Sequence, residues 1–126
     1  MAVIVPTIVD ISGNQKTYQV TWAAMANGDT GAPIQAQFIG YSDRVIAVTG
    51  TFGAGGNMRC QGSLDGGTVY HTLKDAFGTA INLTAAGIAS ITEVTQFVRP
   101  NITAGDGTTA LTVTLQMTRN EARRGG

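Results

Sequence analysis

Leu111, Val113, Leu115 and Met117 alternate with Thr112, Thr114, Gln116 and Thr118 near the end of the chain. A period of two held over eight residues predicts a half-buried β-strand and excludes a helix there. Tyr18, Val20 and Trp22 alternate in the same way with Thr17, Gln19 and Thr21, which predicts an early strand with its aromatic face inward. Two Asp-Gly turns interrupt apolar runs, Asp65-Gly66-Gly67 within GSLDGGTVYHTL and Gly105-Asp106-Gly107 within RPNITAGDGTTALTV. Glycine accepts the positive φ that tight turns demand, so both predict β-hairpins.

Between these anchors, residues 1–11 read as extended, with Pro6 confining them to an edge strand or arm. Residues 25–33 (MANGDTGAP) read as a loop, and a strand is expected over Ile34–Ile39. Residues 44–52 (RVIAVTGTF) are apolar at both parities and predict a central strand covered on both faces. GAGGN (53–57) reads as a hairpin loop from which MRCQGSL pairs back, with Met58 and Cys60 inward. KDAFG (74–78) reads as a turn before TAINLT, AAGIAS (85–90) as a brief helical turn or bend, and SITEVTQFVRP (90–100) as one long strand. The total is about eight or nine strands with turns every eight to twelve residues, which predicts a single all-β domain, an antiparallel β-sandwich of jelly-roll-like type. The expected organisation is an arm or edge strand at 1–11, a sandwich at 12–118 and a flexible basic tail at 119–126.

Composition adds a surface character. Of 126 residues, 43% are hydrophobic and only 13% charged, about half the usual ~25% charged. Threonine and glycine fill the difference. Covering such a surface with a neighbour costs less desolvation than covering Lys or Glu, a hint toward an assembly component. Eight basic and eight acidic residues cancel, so neither nucleic acid nor an anionic membrane is an expected partner of the body. The N-terminal MAVIVPTIVDI lacks a basic leader and is broken by Pro6, so it does not read as a signal peptide. No apolar run approaches membrane-spanning length. The single Cys60 forbids an intrachain disulfide, fits a reducing cytoplasm, and reads as an inert core thiol.

Catalytic chemistry has little to stand on. A nucleophile needs a base, and the one histidine, His71, reads as a partly buried strand residue on a face with Val69 and Leu73. One Cys and one His do not make a zinc site. Asp10, Asp29, Asp43, Asp65, Asp75 and Asp106 all fall at turns, where aspartate accepts backbone N–H groups. Calcium would need Asp29, Asp65 and Asp106 to meet at one end of the sandwich, without the D-x-D-x-D-G spacing. Glu93 is expected mid-strand, sharing a face with Arg99 and able to form a partly buried or intersubunit ion pair. GAGG at 53–56 lacks the Lys and helix of a phosphate loop. Most of the eight aromatics can be placed inward by alternation, and Tyr41, in a turn, is the best candidate for an exposed sugar platform. No enzyme, cofactor or metal site is expected.

The segments Thr21-Trp22, Asn27-Gly28-Asp29-Thr30-Gly31, Val48-Thr49-Gly50-Thr51-Phe52-Gly53, Gly62-Ser63-Leu64-Asp65-Gly66, Tyr70-His71-Thr72-Leu73 and Val98-Arg99-Pro100 through Leu115 together resemble a family of small proteins encoded beside the head genes of tailed bacteriophages. The likeness runs over about residues 20–118 and is one of strands and turns; the tail NEARRGG departs from it. It implies a structural virion protein on the capsid surface, made in the host cytoplasm: a head decoration or cement protein whose partner is the major capsid protein and which forms a homo-oligomer. The other readings are a carbohydrate- or host-surface-binding module and a tail or neck component. Residues 1–11 are the expected contact arm.

Overall fold

The computed structural model describes residues 2–34 and 40–119, whose alternating segments form eleven strands and no helix. The first sheet contains β1 (Val3–Ile4), β4 (Thr30–Gly31), β10 (Phe97–Asn101), β6 (Met58–Ser63) and β7 (His71–Thr72) in that order, with β8 (Asn82–Leu83) also pairing with β6. The second contains β2 (Thr7–Asp10), β3 (Thr17–Met25), β11 (Ala110–Thr118), β5 (Asp43–Thr51) and β9 (Gly87–Ile91). Every pairing is antiparallel except β1 with β4. The inner faces of the sheets meet in one core. Val20 and Trp22 of β3, Ile46 and Val48 of β5, and Val113 and Leu115 of β11 face Met58 and Cys60 of β6 and Val98 of β10, all fully buried.

The alternation at 17–22 and 111–118 survives intact because each strand is buried on one face only. Val113 sits opposite both Trp22 and Val48, and Leu115 opposite Val20 and Ile46, so β11 is the spine of its sheet. One irregularity extends the inward face. The β3–β11 register slips between Leu111 and Val113, and Ala24 adopts φ 56°. The extra residue is a β-bulge. It turns Met25 into the core beside Trp22, where strict alternation would have sent it to solvent.

Several expectations from the sequence are corrected. The GAGGN loop and the Gly105-Asp106-Gly107 turn are not hairpins: each carries the chain from one sheet to the other, β5 to β6 and β10 to β11. Asp-Gly chemistry specifies a reversal, and a reversal between stacked sheets satisfies it as well as one within a sheet. Segment 85–90 forms most of strand β9. The long strand expected over 90–100 is two strands in different sheets, with Thr92–Gln96 crossing between them. The loop at 25–33 contains β4. Strand β5 is not covered on both faces: Arg44, Ile46 and Val48 are buried, whereas Val45 and Ala47 lie half-exposed on the outer face. The strand expected over Ile34–Ile39 is described only at Ile34, which bridges to Val98; the rest lies outside the described residues. So does the tail beyond Arg119, whose own N–H is held by the Lys16 carbonyl.

Residues 2–11 are not detached. β1 is the edge of one sheet and β2 the edge of the other, with Val5 and Pro6 stepping between them. Asp29, itself buried, holds the start of the chain by accepting the Ala2 N–H (2.9 Å) and the Ala26 N–H (2.8 Å). Gly31 is required here. A Cβ at this position would stand 2.6 Å from the Pro100 ring and 2.7 Å from Trp22 Nε1.

Candidate interaction surface

The polar side chains singled out in the sequence are occupied in holding loops. Asp106 spans the crossing between the sheets: one carboxylate oxygen accepts the Ala54 N–H (2.8 Å) and the other the Thr108 N–H (2.8 Å) and hydroxyl (2.6 Å). The GAGG segment is therefore the loop that Asp106 clasps, and Gly53, at φ 70°, is needed because a Cβ would collide with that carboxylate. Asp65 accepts the Val69 and Thr68 N–H groups and the Ser63 hydroxyl. Asp10 accepts the Ser12, Gly13 and Gln15 N–H groups. Among the described residues no three His, Cys, Asp or Glu side chains gather where a metal could sit, so Asp29, Asp65 and Asp106 do not meet.

These hydrogen bonds favour the ionised forms. The Ala54 N–H, then the Thr108 groups, bring the Asp106 carboxyl down to about 2. The Val69 N–H and Ser63 hydroxyl lower Asp65; at Asp10 partial burial opposes ionisation, but the Ser12, Gln15 and Gly13 donors outweigh it. Aspartate in an unfolded chain titrates near about 3.9. A depressed folded value contributes stability that is complete above about pH 4 and is lost as pH falls toward about 2. Asp106→Asn is expected to lower the urea midpoint at neutral pH and to flatten part of its fall between pH 4 and 2, since Asp10 and Asp65 still titrate. A midpoint falling with pH as steeply as in the wild type would contradict the clasp.

Cys60 is fully buried, and burial pushes its thiol up to about 12, against a smaller opposing pull from Arg44. It is not a nucleophile at neutral pH. His71 is exposed at the start of β7, not partly buried as expected; it rims a cleft of about 430 Å³ with Leu64, Leu73, Glu93 and Val94. Glu93 and Arg99 do not pair. Glu93 lies in the crossing loop and accepts the Lys74 N–H (2.6 Å), because the strand expected to carry both residues is broken. The Arg99 guanidinium carbon lies over the Tyr70 ring, 3.7 Å from its centroid, and Arg99 donates to Gln61 Oε1 (3.0 Å), which also accepts from Asn101 (3.3 Å).

Tyr41 is no sugar platform. It is buried, meets Tyr18 edge-on at 5.5 Å between ring centroids, and donates its hydroxyl to the Gln15 carbonyl. Among the described residues the exposed aromatic is Phe77, 92% exposed at the tip of the 74–80 turn, where the sequence also places a turn. Asp75 builds that turn by accepting the Phe77 N–H (2.9 Å) and the Thr79 N–H (3.0 Å). An Asp at the first position and a Gly at the fourth give a turn whose centre points to solvent; KDAFG carried that signal, and its aromatic had to be outside. Between the turn and the outer faces of β5 and β9 lies a cleft of about 420 Å³, lined by Val45, Ala76, Phe77 and Ile88.

Exposed apolar surface is thus the feature that sequence reasoning missed. The ten large apolar side chains exposed among the described residues fall in two groups: Val3, Val5, Ile8, Val9 and Ile11, and Leu64, Val69, Phe77, Ile88 and Val94. The first group lies along the edge made by β1 and β2; the second lies on the side closed by β7, β8 and β9. The described residues are all-β, two packed and mainly antiparallel sheets. No family model matches the chain, and no curated protein matches it.

Proposed function

We propose that this chain is a structural virion protein of a tailed bacteriophage, a head decoration or cement protein with a jelly-roll-like sandwich that binds the outside of the capsid and stabilises the shell. The observation that carries the reading is the placement of its apolar surface. Phe77, Ile88 and Val5 stand 92%, 71% and 79% exposed on a domain with little charge, on strand edges and turn tips rather than around a polar cleft. Exposed apolar patches on a small domain mark protein–protein contact. The carboxylates that could have served chemistry are held by backbone N–H groups instead. The resemblance in sequence to proteins encoded beside phage head genes selects the capsid protein as the partner. A glycan-binding module would want an aromatic platform with polar groups around it, and Tyr41, the side chain proposed for that role, is internal.

The test is cosedimentation of the purified protein with expanded, empty capsids, with unexpanded procapsids as control. Saturable binding at a fixed ratio to the capsid protein, confined to expanded shells, is the expected result. Failure to bind either form would overturn the reading and favour a tail or neck component.

A further inference from the structure

The two apolar groups lie on opposite edges of one domain. β1 and β2 terminate the two sheets on one side; β7, β8 and β9 terminate them on the other. The middle strands contribute none of the exposed large apolar side chains. We infer that copies of this chain associate edge to edge and head to tail, with the β1–β2 edge of one copy seated against the Phe77 and Ile88 edge of the next.

Three observations select a second copy as the occupant. First, a contact between unlike edges covers both groups at once, whereas a two-fold contact between like edges leaves one group in water. Second, the strand directions suit it. The second sheet has five strands that alternate in direction, so its two edge strands, β2 and β9, run the same way. Rotation about an axis parallel to the strands therefore brings β9 of one copy beside β2 of the next without inverting either. Third, loops extend both edges. Sheets about 10 Å apart, edged by strands of at most five residues, present an edge of roughly 20 by 17 Å, about 340 Å². The 74–80 turn and the 11–16 loop supply the rest of the roughly 800 Å² per partner that stable association needs.

β9 does not bar the approach. It ends its sheet, and the 74–80 turn stands off from it across the apolar cleft. Within β2, Thr7-Ile8-Val9-Asp10, there is no lysine, no proline and no bulge to turn a neighbouring strand away. A head-to-tail contact closes into a ring or grows without limit, and a discrete particle requires closure.

The experiment needs no capsid, so it stands or falls separately from the virion reading. The native mass of the purified protein is measured by sedimentation equilibrium, beside Val5→Asp and Phe77→Asp. Both positions are largely exposed, so both variants are expected to melt like the wild type; Ile88→Asp and Ile8→Asp substitute if either does not. The wild type is expected as one closed species of several chains, and each variant as a monomer. Mixing the two variants is the decisive arm. Each retains one intact edge, and the intact edges are complementary, so a 1:1 dimer that grows no further is expected. A monomeric wild type, oligomers unaffected by either substitution, or a mixture that stays monomeric would each overturn the inference.

Discussion

Trp22→Ala is expected to destabilise the domain by about 3–5 kcal/mol, the range for removing a large aromatic from a closed core. Trp22 is fully buried on β3, opposite Val113. Its indole Nε1 donates to the Ala32 carbonyl (2.9 Å), tying the second sheet to the residue just after β4 of the first. Alanine leaves a cavity between the sheets and a carbonyl without its donor, and the close fit of Gly31 and Pro100 around the ring limits collapse. Urea denaturation with the slope held constant reads the loss. Trp22→Phe retains most of the volume and isolates the hydrogen bond, worth about 1 kcal/mol. A near-native midpoint for Trp22→Ala would mean that the inward face of β3 has been misassigned.

Phe77→Asp is expected to leave stability unchanged and to weaken binding to expanded capsids by roughly 10²–10⁴-fold. Linked contacts set the size of the effect. In the proposed assembly a ring of copies would hold the shell through several shallow contacts at once, and losing the linkage between copies would remove avidity of that order without touching the shell contacts themselves. The side chain is 92% exposed, so its loss costs the fold nothing. Titration of shells with each protein, followed by assay of the unsedimented fraction, gives the ratio. Equal affinities would separate Phe77 from function altogether.

The strands that carry the core could be read from sequence because one-sided burial writes period two directly into the chain. Thr17–Trp22 and Leu111–Thr118 are the clear cases. The connections could not. Asp65 and Asp106 sit in similar Asp-Gly turns, yet one reverses within a sheet and the other crosses between sheets, and the local chemistry is the same. What separates them is the partner beyond the turn: Asp106 clasps Ala54, fifty-two residues away, and no local pattern shows that. The break at Thr92–Gln96 was hidden similarly, since Ile91 and Phe97 continue an alternation although they belong to different sheets. The Ala24 bulge left no glycine to mark it.

The surface was legible in composition and obscure in detail. Low charge and abundant threonine pointed to a coverable exterior, but not to where the apolar groups would lie. Phe77 could have been placed from Asp75 and Gly78 alone. Ile88 could not, because its exposure follows from the outer face it takes on β9, beside Val45, which depends on how β9 pairs. The N-terminal segment shows the same limit. Pro6 indicated an edge, while its role as the step that places β1 and β2 on the edges of two sheets depends on where the rest of the chain goes.

The proposed strengthening of a shell by contact is read most directly from the temperature at which expanded, empty capsids come apart, with and without saturating protein. A rise that tracks occupancy, absent with unexpanded procapsids, is the predicted result. Full occupancy with an unchanged disassembly temperature would contradict it, leaving a protein that sits on the capsid without holding it together.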